Sequence, residues 1–338
     1  MRPLKVVAAS LIVVLAGALG TSPVTAAPEI SCTETDLSVT LTLLPQNVHG
    51  KLCRPVGGVP TMVQLLVHGG TYNGQYWDLP YDSGRYSYQR DMAGRGLATF
   101  AIDLPGSGAS SQPLSALITG TGLASVVHQV AGKLRSGKVS GTRFDRVILV
   151  GHSMGSGIAA LAAATYRDVD GVILTGFSHS MDLLALTGIF VDAIQPAPLD
   201  PVLGARGSDP GYVTTIPGTR NVFYDPGAVE PGVLTADEAT KDQVAATVVP
   251  DLVTLAFTST LTRSITAPVL IANGERDTLF CAFHCTAPAD LTAAESPYFT
   301  SRLDVFLLPQ TGHSLALSPT APTYRAAVTN WITTQFGQ

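Results

Sequence analysis

Apolar runs and stretches of helical spacing take turns along most of the chain. Apolar, β-rich runs fall at residues 37–43, 62–67, 97–102, 147–150, 171–175, 269–272 and 305–308, and helical spacing at 87–94, 122–134, 154–166, 289–300 and 321–336. Alternation of this kind predicts a mostly parallel sheet covered by helices on both faces. The central runs carry no polar alternation, which suits strands buried on both sides. Between residues 178 and 263 the pattern stops, and the chain becomes rich in Pro, Gly, Asp and Thr, as in Asp209-Pro210-Gly211-Tyr212 and Tyr224-Asp225-Pro226-Gly227. No internal repeat accompanies the break. The segment therefore reads as an insertion capping the strand C-termini, where open α/β sheets bind ligands.

One pentapeptide stands at a junction of the pattern. Gly151-His152-Ser153-Met154-Gly155 lies between the apolar run Val147-Ile148-Leu149-Val150 and the Ala-rich stretch that begins at Ile158. A sharp strand-to-helix turn lifts a serine hydroxyl above the sheet edge, and side chains two residues to either side would collide with neighbouring backbone. Ser153 is the candidate nucleophile; without its flanking strand and helix the same residues would read as a Gly/Ser-rich turn. A serine hydroxyl is a poor nucleophile at neutral pH, so a histidine must take its proton and a carboxylate must orient that histidine. His313, beside Gly312 and beyond the last apolar run, fits that role. The other six histidines fit it less well. His49 is near the N-terminus, His68 and His152 occupy turns, and His128 falls in a helical stretch. His179 opens the insertion and reads as a hinge or surface residue, and His284 as a loop residue between two cysteines.

Composition narrows the function classes. With 338 residues, 46% hydrophobic and 13% charged, the chain can bury a large core. A net charge of -5, with 20 basic residues thinly spread, gives no basic patch. Nucleic acid and an anionic membrane surface are therefore not implied partners, and a neutral or weakly polar substrate fits better. Met1-Arg2-Pro3-Leu4-Lys5, an apolar run at 6–19 and Val24-Thr25-Ala26-Ala27 form the three regions of a secretory signal. Residues 1–26 are expected to be removed and 27–338 to be extracellular, without a membrane anchor, because the apolar run is shorter than the roughly 20 residues a spanning helix needs. Export suits the four cysteines, whose local pairing is Cys32 with Cys53 and Cys281 with Cys285 among the three pairings four cysteines allow. A zinc site at Cys281, His284 and Cys285 is the competing use, and it lacks a second Cys/His pair nearby. Neither a metal nor a nucleotide motif is present: Ser111 stands where a third glycine would extend Gly106-x-Gly108, so no cofactor is expected.

Four separated motifs resemble the α/β-hydrolase family across essentially the whole mature chain. They are His68-Gly69-Gly70, Asp103-Leu104-Pro105-Gly106-Ser107-Gly108, the turn at Ser153, and the pair Gly274-Glu275-Arg276-Asp277 and Gly312-His313. In that family the acid and histidine follow the serine, and the order Ser153, Asp277, His313 matches. The resemblance implies the α/β-hydrolase fold, with a mostly parallel central sheet, helices on both faces and a cap insertion after the sixth core strand. It implies Asp277 as the acid, a few residues beyond its strand; Glu275 is the nearest rival, while Asp304 leads into a strand rather than following one. The interval from Asp277 to His313 is long for the family, which the Cys281–Cys285 loop explains. Backbone N–H groups of Met154 and Gly70 are the expected oxyanion donors, each able to supply on the order of 3 kcal/mol. The Asp103–Gly108 turn is expected to be structural.

Thr71, Tyr72, Tyr76 and Trp77 follow the oxyanion loop and are candidate substrate-binding residues, with packing beneath the cap an equal reading for the aromatics. Phe190, Tyr212, Phe223 and Tyr224 would complete such a pocket. The expected function is a secreted serine hydrolase that cleaves small or medium apolar carboxylic esters, or lactones, through an acyl-enzyme intermediate. Peptidase, thioesterase and cofactor-free perhydrolase chemistries share the same three residues. A non-catalytic binding module on this fold is the remaining alternative, against which the presence of all three residues weighs. The sequence carries no signal for oligomeric state.

Overall fold

In the computed structural model, residues 29–257, 259–281 and 284–337 are described. The expected secretory signal lies outside these described residues. The strands in chain order are β1 (Ile30–Leu41), β2 (Leu44–Pro55), β3 (Met62–Val67), β4 (Ala98–Ile102), β5 (Arg146–His152), β6 (Gly171–Thr175), β7 (Ile194–Pro196), β8 (Tyr212–Thr215), β9 (Val244–Ala245), β10 (Val269–Gly274) and β11 (Leu303–Leu308). The helices are α1 (Ser83–Tyr86), α2 (Tyr88–Gly94), α3 (Gly120–Arg135), α4 (Met154–Tyr166), α5 (Leu183–Asp192), α6 (Pro231–Thr240), α7 (Val249–Phe257), α8 (Pro288–Glu295) and α9 (Ala321–Phe336).

Eight strands form one sheet in the order β1-β2-β4-β3-β5-β6-β10-β11. Every pair from β4 to β11 is parallel, while β1 with β2 and β2 with β4 are antiparallel. The apolar-rich strands β3, β4 and β6 are buried at every position, Gln64, Thr99 and Thr175 included, as strands covered on both faces must be. Helix α3 packs with α4, and α2 with α9, giving two separate helical groups around the sheet. In β1 the burial alternates instead: Leu37, Val39 and Leu41 are buried between exposed Ser38 and Thr40. Such alternation marks a strand with one solvated face.

Strand β2 is an addition to the sequence pattern. The apolar run at 37–43 predicts one strand, yet β1 ends at Leu41 and a hairpin turns through Thr42 (φ 48°) and Leu43 (φ 70°) into β2. Two-residue hairpin turns with positive φ at both central positions normally announce themselves as Asn-Gly or Asp-Gly, and Thr-Leu carries no such signal. The disulfide Cys32–Cys53 joins directly paired residues of this hairpin, and Cys281–Cys285 closes a short loop after β10. The helical stretch at 289–300 is also shorter than its spacing suggests, because Pro297 lies in a 3₁₀ turn beyond Glu295.

Between β6 and β10 the chain leaves the sheet and builds α5, the small antiparallel sheet β7-β8-β9, α6 and α7. Both feet of this excursion meet at one buried cluster. His179 Nδ1 lies 2.6 Å from Glu295 Oε2, its backbone N–H donates to Glu295 Oε1 at 2.8 Å, and its Nε2 is 3.1 Å from Thr262 Oγ1. The Thr262 hydroxyl in turn donates to the Tyr298 carbonyl, and the His179 ring stacks on Tyr298 at 3.8 Å. His179 is therefore buried where the excursion leaves the sheet, and not on the surface.

Candidate active site

Ser153 occupies the turn between β5 and α4 with φ 53° and ψ −120°, a conformation non-glycine residues rarely adopt. The surroundings over-determine it. Its N–H donates to the Thr175 carbonyl at 2.8 Å, and the Ser156 hydroxyl both donates to that carbonyl at 2.8 Å and accepts the Thr175 N–H at 2.9 Å. The flanking glycines are required by contact. A Cβ on Gly155 would press into the carbonyl oxygens of Val67 and His68, and one on Gly151 into the backbone of Ser156. Strain of this kind, about 1–3 kcal/mol, persists only where surrounding structure holds it, and such residues cluster at functional sites.

Beyond β11, His313 meets Asp277. Nδ1 of the histidine is 2.9 Å from Asp277 Oδ2, and both side chains are buried. Asp277 Oδ1 accepts the backbone N–H groups of Leu279 at 2.9 Å and Phe280 at 3.2 Å, which fixes the carboxylate in place. A carboxylate on Nδ1 keeps the proton there and leaves Nε2 as the basic nitrogen. The ring stacks on Phe280, with centroids 5.6 Å apart, and lies 4.9 Å from the ring of His152. Gly176 makes room for it, since a Cβ there would stand 2.9 Å from His313 Cε1. The rival acids are elsewhere engaged: Glu275 is exposed, and Asp304 pairs with Arg302 and accepts the Trp331 indole N–H at 2.9 Å. Among the described residues the Ser153 hydroxyl and His313 Nε2 form no hydrogen bond; catalytic hydrogen bonds often tighten only when substrate is bound.

The loop after β3 approaches Ser153 from the other side. His68 Nδ1 donates to the Gly69 carbonyl at 2.8 Å while Nε2 accepts the Leu104 N–H at 3.1 Å, an arrangement that only the neutral ring can make. Burial pushes its pKa below the ordinary histidine value, against opposing contributions from Gly69, Asp103 and Asp242. Gly69 sits so close that a Cβ there would lie 3.2 Å from Ser153 Cβ. Among the described residues the N–H groups of Gly70 and Met154 donate to no protein acceptor. Met154 opens α4, so its N–H belongs to the positive end of the helix. Both residues line the same cavity as Ser153.

Ser153, Gly70, Thr71 and Met154 form one wall of a cavity of about 130 Å³. Apart from Ser153 and Thr71, its lining is apolar, and much of it comes from the excursion: Leu186, Ile189 and Phe190 of α5, Val213 of β8, Phe223, and Val249, Leu252 and Val253 of α7. Thr71 lies on this wall, as its sequence position suggested. Tyr72, Tyr76 and Trp77 do not; all three are buried behind it. Tyr76 lies flat on His152 at 4.3 Å, Trp77 packs edge-on against Tyr76, and the Tyr72 hydroxyl is 2.8 Å from Ser314 Oγ. These aromatics carry the packing role. Of the four aromatics in the insertion, Phe190 and Phe223 reach the cavity, whereas the hydroxyls of Tyr212 and Tyr224 bond to the Pro113 carbonyl and to Asp237. Sequence reading missed the aliphatic wall of α7, although Val249, Leu252 and Val253 recur at helical spacing. It also missed Arg220 and Asp237, which nothing in their local sequence distinguishes. Among the described residues no cluster of His, Cys, Asp and Glu is arranged to hold a metal ion.

Comparison with known proteins places this geometry in context. The family model described as the alpha/beta hydrolase family matches residues 64–326. No curated protein matches the sequence. Among solved structures, the chain is similar to a thermophilic esterase from Thermogutta terrifontis, at 18% identity over 89% of this chain and 99% of that one, with a TM-score of 0.58. It is similar as well to a soluble variant of monoglyceride lipase from Saccharomyces cerevisiae, bound to a substrate analogue, at 16% identity over 94% and 98% of the two chains and a TM-score of 0.59. Est1E from Butyrivibrio proteoclasticus, with ferulic acid bound, superposes at 16% identity over 89% and 100%, with a TM-score of 0.56.

Proposed function

The chain belongs to the alpha/beta hydrolase family, and from that premise we propose that it is a secreted serine esterase acting on small or medium apolar carboxylic esters or lactones. Ser153 Oγ attacks the ester carbonyl while His313 Nε2 takes the hydroxyl proton. Asp277 holds the Nδ1–H and stabilises the imidazolium that forms. The carbonyl oxygen, now negative, is received by the N–H groups of Gly70 and Met154. Collapse of the tetrahedral intermediate breaks the bond to the leaving oxygen, which takes the proton from His313 and departs as an alcohol. Water then attacks the acyl-enzyme, its proton passing to His313, and Ser153 and a carboxylic acid are released.

What supports this reading is that Ser153, Gly70 and Met154 line an apolar cavity whose Phe223 and Phe280 rings pack against the histidine of the Asp277–His313 pair. A cavity without charge suits a neutral acyl group. The 178–263 segment acts as the cap, since α5, β8 and α7 supply most of the apolar wall. Export of the 27–338 chain is part of the proposal: two disulfides favour an oxidising compartment, and no described helix is long and apolar enough to cross a membrane.

Labelling with a fluorophosphonate probe, peptide mapping and a series of p-nitrophenyl esters test the proposal together. The expected result is an adduct on Ser153, and turnover that Ser153→Ala and His313→Ala each lower by about 10⁴–10⁶-fold without unfolding the protein. A folded protein that gives neither adduct nor turnover would instead be a binding module on this fold.

A further inference from the structure

Thr71 is a β-branched residue at φ 61°, a left-handed conformation that such side chains avoid. It follows Gly70 directly, so holding Thr71 anchors one end of the short loop whose Gly69–Gly70 peptide carries the Gly70 N–H. Two residues from the excursion hold it. The Asp242 backbone N–H donates to the Thr71 carbonyl at 2.9 Å. Arg220 Nη1 lies within donating distance of the same carbonyl at 3.3 Å, of Thr71 Oγ1 at 3.2 Å and of Thr215 Oγ1 at 3.3 Å.

Arg220 is itself held by an aromatic ring and a carboxylate, while its Nε and Nη2 form no hydrogen bond among the described residues. It is buried, its guanidinium lies 4.2 Å from the centre of the Tyr72 ring, and its Nε pairs with Asp237 Oδ2 at 2.8 Å. The Tyr224 hydroxyl donates to the same carboxylate oxygen at 2.6 Å. The segment carrying Arg220 also reaches the histidine loop, because the Phe223 carbonyl accepts the Ser314 N–H at 3.0 Å. One short stretch therefore braces both the loop that carries Gly70 and the loop that carries His313.

We infer that Arg220, locked by Asp237, is a positioning residue that holds Thr71 in its left-handed conformation and so aims the Gly70 N–H at the oxyanion. The planar guanidinium carries Nη1 to Thr71 while its Nε faces Asp237, a span that the single nitrogen of an ammonium group cannot cover. Its charge is balanced by Asp237, so the effect is geometric. The inference rests on the serine esterase reading above.

The test compares the wild type with Arg220→Lys and with the charge-neutral pair Arg220→Met/Asp237→Asn, which keeps an acceptor for Tyr224. Turnover of a short p-nitrophenyl ester is measured beside inhibition by a trifluoromethyl ketone, which forms an oxyanion on the serine, and by the matching secondary alcohol, which does not. Full loss of one oxyanion donor costs about 10²–10³ in kcat, so misdirection is expected to lower kcat by about 10–100-fold. KM and affinity for the alcohol should stay within about threefold, with ketone affinity falling in step with kcat/KM. Thr71→Gly, which adopts the left-handed conformation without strain, should recover part of kcat in the Lys variant. Folded variants with unchanged kcat, or with ketone and alcohol affinities falling equally, overturn the inference and leave the esterase reading intact. Absence of turnover in the wild type removes the esterase reading, and this inference with it.

Discussion

At Ser153 function and stability oppose one another. The left-handed backbone that presents the hydroxyl would suit glycine better, at a cost of about 1–3 kcal/mol for any other residue. Ser153→Gly is expected to raise stability by about 1 kcal/mol in chemical denaturation while abolishing turnover. An unchanged or lower midpoint would mean that the turn is not strained. Gly155 is the converse case. Its missing Cβ faces two backbone carbonyls of the neighbouring strand end, which cannot rotate aside as a side chain would. Gly155→Ala should therefore cost more than about 3 kcal/mol, among the large single-residue effects. These positions were legible in the sequence because geometry leaves few residues able to occupy them, and the same holds for Gly274, pressed against the backbone of Thr311 and Gly312. Thr71, Thr42 and Leu43 were not legible as turn positions, since positive φ there is imposed by surroundings rather than permitted by glycine.

Among the elements, those built on apolar periodicity followed from the pattern: β3 to β6, β10, β11, α4 and α9 lie close to where it places them. Strand β2 was missed because half its residues are polar and its hairpin turn has no glycine. The proposed cap was visible as a break in the pattern, but not as α5, three short strands, α6 and α7, because its elements are short and stabilised by contacts distant in sequence. Helix α7 gives this region a testable role. Leu252 lines the cavity and occupies the space that the absent Gly157 side chain leaves free. Leu252→Ala is expected to raise kcat/KM for octanoyl relative to butanoyl esters by roughly tenfold, in line with what a few methylenes are worth in an apolar pocket. An unchanged ratio would place the acyl chain elsewhere.

For the molecule as a whole, acid is the expected weakness. His68 and His152 are both buried and neutral, and burial holds the pKa of each below the ordinary histidine value, for His152 with the nearby His313 adding to the effect. The unfolded chain binds protons at these two residues near pH 6.5, whereas the folded chain resists until lower pH. The stability they contribute is complete above about pH 6.5 and is lost as pH falls from there toward the folded values. Unfolding midpoints measured from pH 8 to pH 4 should drop on the acid side, and His152→Gln should flatten part of the slope. An unaltered slope in that variant would assign the acid sensitivity to other groups.

The buried knot of His179, Thr262, Glu295 and Tyr298 bears on how such a molecule diversifies. Because the excursion departs and returns through the same few atoms, the sheet sees it as a closed loop whose ends do not move apart. The part of the apolar wall that runs from α5 to α7 is then carried by one contiguous stretch of coding sequence, while the proposed catalytic residues Ser153, Asp277 and His313 lie outside it, as do Phe177, Leu279 and Phe280 of the lining. Exchange of that stretch between relatives, cut at the knot, is a route by which substrate range can be rewritten in a single recombination step with the proposed catalytic residues left in place.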